Sequence, residues 1–162
     1  MLVVAAVAML PIRQWLHLPR WNDGRSQEFD TIWRPAGNLD RHRSVDVIHT
    51  IDGDTFEARV HLAPDQDVMT RVRVRGIDAP ELKAACPEEL RLAEAATDAL
   101  RDLLRHGGVA IYNIGPDKYQ GRIVADVATK RTDNVAAALL AAGHVRSYNG
   151  GHRNGWCVNA PR

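Results

Sequence analysis

Between Val45 and Ile77 apolar and polar residues alternate almost without a break, and this pattern limits the fold more than any other feature of the chain. Val45, Val47, His49 and Ile51 alternate with polar neighbours, Asp52-Gly53 supplies a tight turn, and Phe56, Ala58, Val60 and Leu62 resume the alternation. A period of two places successive side chains on opposite faces of a strand, so the segment predicts a hairpin. Residues 63–67, APDQD, form a second turn. Thr70 to Ile77 is a third strand, with Val72 and Val74 on one face and Arg71, Arg73 and Arg75 on the other. Three sequential antiparallel strands predict a curved sheet or a small barrel.

The period then changes. In CPEELRLAEAATDALRDLLRHGG, Pro87 suits a first helical turn, Glu88 and Glu89 favour the positive end of the helix dipole, and Gly107-Gly108 supplies the stop. Leu90, Ala93, Leu100, Leu103 and Leu104 fall mostly on one face, which predicts a helix packed on the sheet. Residues 109–114 and 122–129 read as two more strands around GPDKYQG, and NVAAALLAAG as a short helix ended by Gly143. The order is three strands, a helix, two strands, a helix and an irregular tail.

Length and charge bound the rest. At 162 residues the chain holds one domain, residues 45–162, plus an extension. Its 21 basic and 20 acidic side chains leave a net charge of +1, so no global field attracts a polyanion and any anion binding must come from local placement. The apolar run Leu2 to Leu10 is shorter than a spanning helix and lacks the basic front of a cleavable signal. Residues 1–18 are therefore read as the back half of a signal or membrane anchor, with a short buried helix as the alternative. Residues 19–44 show no sustained periodicity and are read as a linker. Cys86 and Cys157 have neither CxxC spacing nor a nearby His pair, which argues against zinc. In an exported protein they could pair; otherwise they are two buried thiols.

Two constellations carry chemistry. IDGDT places Asp52 and Asp54 at a strand mouth, and GIDAPE places Asp78 and Glu81 either side of Pro80 at a strand exit. If those strand ends meet, the carboxylates repel one another, and a hard divalent cation with oxygen ligands is the usual remedy. A calcium-binding helix-loop-helix is excluded, because the loop after Asp52 lacks the required glycine and the final glutamate. Taken singly, each acid motif is as well read as a turn or a capped strand exit. The second constellation is Arg73 on the polar side of its strand and Arg122 at the start of another. Guanidinium forks match phosphate oxygens and could clamp a phosphodiester, whereas Arg71 and Arg75 fit a merely solvated surface better.

IDGDT at 51–55, RVRGIDAPE at 73–81 and DKYQGR at 117–122, in this order and spacing, resemble the staphylococcal nuclease-like (thermonuclease) family over about residues 45–157. The resemblance implies an α+β, mainly β fold: a five-stranded OB-fold barrel with two packed helices. It also implies hydrolysis of DNA and RNA with Ca2+, at low sequence specificity, leaving 3′-phosphates. By motif, Asp54, Asp78 and the backbone carbonyl of Ala79 would ligate the metal, with Asp52 in an outer shell. Glu81 would activate or orient the attacking water, and Arg73 and Arg122 would bind phosphate. Lys118, Tyr119 and Tyr148 would line the nucleotide pocket.

Two departures stand out. Gln120 is inserted between Tyr119 and Gly121, and the chain stops soon after Trp156-Cys157. The tail YNGGHRNGWC resembles shorter bacterial members in which the final cysteine ties back to the first helix, which implies a Cys86–Cys157 disulfide and export. The expectation is a monomeric nuclease acting on nucleic acid, single strands preferred, periplasmic or extracellular and, where residues 1–18 are an anchor, tethered to the membrane by its N-terminus. The competing expectation is an OB-fold module that binds single-stranded nucleic acid without cutting it.

Overall fold

The structure is a computed structural model and describes residues 29–35 and 37–157. Strands β1 (Arg43–Thr50), β2 (Thr55–Ala63) and β3 (Gln66–Val74) form the antiparallel meander that the alternation predicts. After β4 (Ile77–Asp78) come α1 (Pro87–Arg105), β5 (Ala110–Pro116), β6 (Arg122–Ala128), α2 (Val135–Ala141) and β7 (Arg146–Ser147). Five strands close into a barrel in the order β1-β2-β3-β6-β5. Closure depends on one parallel pairing, β3 with β6 from Arg71↔Arg122 to Val74↔Ala125, and on a short antiparallel pairing of β1 with β5. With α1 and α2 packed on it, this mainly β, closed mixed barrel is the expected OB-fold, and a third helical segment, residues 29–32, precedes β1.

The inward faces follow the sequence pattern. Phe56, Ala58, Val60, Val72, Val74, Ile111, Ile123, Ala125 and Val127 fill the barrel, and Ala96, Leu100 and Leu104 of α1 join the same core. Three details differ from the pattern. The third strand ends at Val74 rather than Ile77, because Gly76 at φ 80° turns the chain in a conformation that a side chain disfavours. Ile77-Asp78 then pairs with Arg146-Ser147, which makes a separate two-stranded sheet out of the strand exit and the tail. On α1, Leu90 is exposed and Glu89 is buried in its place. The Glu89 carboxylate accepts the Ala85 N–H at 2.8 Å, so a polar partner, not apolar contact, decides which residue turns inward.

The third difference lies before β1. Residues 29–32 are helical, and Trp33 is only 3% exposed, with Phe29, Ile32 and Leu39 packed against the same core. Of the expected linker, residues 19–44, residues 19–28 lie outside the described residues, and the part from Phe29 onward belongs in part to the domain: Trp33 buries a large aromatic surface that no heptad or alternation could announce. The expectation for residues 1–18 lies outside the described residues. Among the described residues no helix is long and apolar enough to cross a membrane.

Candidate active site

The two acid-bearing loops touch because of Gly53. A methyl group there would sit 2.6 Å from the Ala96 Cβ and 2.8 Å from the Ala79 Cβ, so only glycine lets the IDGDT turn lie against both GIDAPE and α1. Asp52 closes that turn by accepting the Asp54 N–H at 3.0 Å. Asp54 is buried; its Oδ1 accepts the Thr55 hydroxyl at 2.8 Å and its Oδ2 accepts the Ala79 N–H at 3.2 Å, across the two loops.

Arg73 completes the junction. It points outward from β3, yet it is buried, because the strand exit folds over it. Its Nη1 donates to Asp54 Oδ1, its Nη2 donates to the Ile77 carbonyl at 3.0 Å, and the same Nη2 lies 3.8 Å from Asp78 Oδ1. Arg71 is exposed, and Arg75 is half exposed, binding the carbonyls of Asn113 and Val124. One arginine of the three therefore enters the site.

Asp78 is buried as well. Its Oδ1 is within 3.0 Å of Arg153 Nε, but this atom makes no hydrogen bond of adequate geometry to any neighbour among the described residues. Arg153 Nη1 donates to Glu81 Oε1 at 2.9 Å, while the Glu81 side chain remains 57% exposed. Among the described residues no three of Asp52, Asp54, Asp78 and Glu81 bring ligand atoms within 4.8 Å of one another. The guanidiniums of Arg73 and Arg153 stand between the carboxylates and offset their repulsion. The one cluster among the described residues that does meet this spacing, Cys86, Glu89 and Cys157, has both sulfurs joined in a disulfide, so neither is a thiolate ligand.

Electrostatics follow from this crowding. Burial, and secondly the charge of Asp54, push the Asp52 carboxyl up from 3.8 to about 6. Burial works to raise Asp117 too, but the hydrogen bonds and charge of Arg122 outweigh it and hold that carboxyl below its usual range. Arg122 Nε and Nη2 meet the two Asp117 oxygens at 2.7 and 3.2 Å. The inserted Gln120 leaves this pair intact: the Gly121 carbonyl accepts the Arg71 N–H at 3.2 Å, which pins the loop to β3 and starts β6 in register.

A cavity of about 160 Å³ is lined by Asp52, Asp54, Arg73, Ala79, Pro80, Glu81, Lys118, Tyr119, Arg122 and Arg153. Beside it lies a groove of about 420 Å³ lined by Arg75, Tyr148 and Asn149 among others. The Tyr119 ring is 56% exposed, with Arg122 Cζ 4.5 Å and Lys118 Nζ 4.9 Å from its centroid. Tyr148 lines the groove and donates its hydroxyl to the Gly151 carbonyl at 2.9 Å. So Asp52, Asp54, Arg73, Ala79, Glu81, Lys118, Tyr119 and Arg122 share one cavity, Asp78 is buried against two of its arginines, Arg73 and Arg153, without lining it, and Tyr148 stands apart in the groove. The Cys86–Cys157 disulfide is formed, closing a separation of 71 residues.

Sequence reasoning missed three residues that shape the site. Asp117 fixes Arg122, Glu89 holds the loop after Pro80 through the Ala85 N–H, and Arg153 pairs with Asp78 and Glu81. The only signal for Arg153 is its place four residues ahead of Cys157.

The fold and site define a class: an OB-type barrel with carboxylates and guanidiniums gathered around one cavity. The family described as staphylococcal nuclease homologue matches residues 71–155, more than half of the chain, and the chain belongs to that family. No curated protein matches it. Family membership supports a nuclease-like hydrolytic function with nucleic acid as substrate.

Proposed function

We propose that the chain is a calcium-dependent nuclease of low sequence specificity that hydrolyses phosphodiester bonds of DNA, RNA or both to 3′-phosphate products. The observation that carries this reading is the 160 Å³ cavity, where Asp52, Asp54 and Glu81 face Arg73 and Arg122. Acids and phosphate-matching cations share one small space, as in-line attack on a phosphodiester requires.

The donors are of the type a hard cation takes: carboxylate and carbonyl oxygens, with Asp78 Oδ1 buried, ion-paired with Arg153 and without a hydrogen bond of adequate geometry among the described residues. Asp54, Asp78 and the Ala79 carbonyl would hold the ion, with Asp52 outside them. Bound there, calcium supplies Lewis-acid polarisation of a nonbridging phosphate oxygen.

The chain's own residues do the remainder. Arg73, oriented by Asp54 and the Ile77 carbonyl, and Arg122, oriented by Asp117, direct N–H donors at the phosphate oxygens and stabilise the charge that grows on them during attack. Glu81 accepts the proton of the attacking water, the new P–O bond forms in line, and the 5′-oxygen leaves. The exposed ring of Tyr119 offers a stacking platform that tolerates any base, which favours single strands; Lys118 and Tyr148 line the approach. The disulfide supports an exported, periplasmic or extracellular location.

The test is incubation of the purified protein with single-stranded DNA, with calcium and then with chelator. Cleavage in calcium alone, with 3′-phosphate ends, is expected. DNA that is bound but uncut in both tubes would replace the nuclease with a binding module.

A further inference from the structure

The irregular tail carries a cation into the site that the barrel does not require. Arg153 lies beyond the last strand, yet it reaches both Asp78, at 3.0 Å, and Glu81, at 2.9 Å. Two anchors on either side of it explain how. Upstream, the tail pairs with the strand exit at Asp78↔Arg146; downstream, Cys157 is bonded to Cys86 at the start of α1. Between them the Tyr148 ring lies 5.3 Å from the Arg153 guanidinium. The Tyr148 hydroxyl, held on the Gly151 carbonyl, fixes the turn that carries the arginine back.

Its position is more telling than its partners. Arg153 is 32% exposed along its side chain and lines both the acid-walled cavity and the neighbouring groove. The residues common to those two spaces are Arg73, Lys118, Arg122 and Arg153, all cations. A polyanion passing from the groove into the cavity crosses this seam.

We propose that Arg153 is a phosphate-binding residue of this site, delivered by the C-terminal tail and held at the seam by the Cys86–Cys157 disulfide. This deepens the nuclease reading and rests on it for the identity of the ligand. A guanidinium has five N–H donors, so contact with Asp78 and Glu81 through Nε and Nη1 is compatible with a phosphate oxygen approaching from the groove side. Opening the disulfide would leave the last turn of the tail without its downstream anchor, and Arg153 with it.

The experiment titrates a short fluorescein-labelled oligothymidylate by anisotropy, in EDTA, across a salt series. It uses Arg153→Gln, Arg153→Lys and the double variant Cys86→Ser/Cys157→Ser, each checked for folding by thermal melting. Arg153→Gln is expected to weaken binding roughly tenfold, as for loss of a charged hydrogen bond, and to make the slope of log K against log salt shallower by about 0.7, one single-strand phosphate contact. Arg153→Lys keeps the slope but loses part of the affinity with the fork. The cysteine variant reproduces Arg153→Gln, and combining the two adds nothing. An unchanged slope in Arg153→Gln, or full additivity with the cysteine variant, overturns the proposal. If Arg153→Gln fails to fold, wild-type protein under dithiothreitol decides: a slope unchanged by reduction overturns it equally. Wild type that binds with this slope but cuts nothing in calcium sinks the nuclease and spares Arg153, whereas wild type that cuts without Arg153-dependent binding does the reverse.

Discussion

Replacing Gly53 with alanine tests the contact on which the site is built. The added methyl would lie 2.6 Å from the Ala96 Cβ and 2.8 Å from the Ala79 Cβ, against ordinary contacts of 3.4–4 Å. Neither neighbour is the loose end of a long side chain. Both are fixed to backbone, one in α1 and one in the loop that carries Asp78, so the loops must part by roughly 0.6 to 0.8 Å. Overpacking of this kind costs about 1–3 kcal/mol. For a domain of this size that lowers the melting temperature by about 4–12 °C. Function should suffer more, since Asp54 and Ala79 are joined across the same contact and a displacement near 1 Å costs about 100-fold in rate. Calorimetry and cleavage of single-stranded DNA in calcium measure the two effects. Gly155→Ala is the control: nothing lies within 4 Å of its Cβ position, and a change within about 0.5 kcal/mol is expected. Removing the nearer obstacle in Gly53→Ala/Ala96→Gly should recover part of the loss. A Gly53→Ala protein that melts and cuts like wild type would refute the reasoning, because the loops could not then be in contact.

Further expectations follow from single side chains. Glu81→Gln should keep calcium affinity, measured by calorimetric titration, yet slow cleavage by about 100-fold or more; wild-type rates would remove Glu81 from the chemistry. Arg73→Lys should lower both stability and activity, because a lysine cannot serve Asp54 and the Ile77 carbonyl together, while Arg71→Lys on the exposed face should do neither. Equal effects of the two would contradict the assignment. Trp33→Ala should cost about 3–5 kcal/mol in urea unfolding, and a loss below 1 kcal/mol would return residues 29–44 to the status of linker. Asp52 is raised from 3.8 to about 6 in the folded protein, so the folded state holds the extra proton. In chelator its contribution to stability is complete below about pH 4 and is lost as pH rises through 6, by at most roughly 3 kcal/mol. Asp52→Asn should flatten that decline in urea titrations, and an unaltered profile would locate its origin elsewhere.

The barrel was legible because each of its strands buries one face and wets the other. Val72 and Val74 against Arg71 and Arg75 is that rule written in sequence, and it also separated Arg73 from its neighbours once the motif fixed its distance from Asp78. What the pattern could not carry were residues placed by partners far along the chain. Glu89 takes the inward position in place of Leu90 only because Ala85 and Glu81 present backbone N–H groups to it. Trp33 is buried by strands that follow it, and Arg153 owes its position to a bridge between residues 71 apart. The early end of β3 is different again: Gly76 was visible, but its positive φ becomes necessary only when the tail arrives to pair with Ile77.

The parallel union of β3 with β6 has a consequence for the order of events at synthesis. Arg71 and Arg122 meet across that seam, so a polypeptide still emerging from the ribosome cannot shut the cylinder until β6 has been made. The cavity wall at Arg153, and the sulfur bridge behind it, come later still. A product that stopped before Arg153 would therefore lack one wall of the pocket, so that the barrel and the cavity it supports are completed at different moments of synthesis.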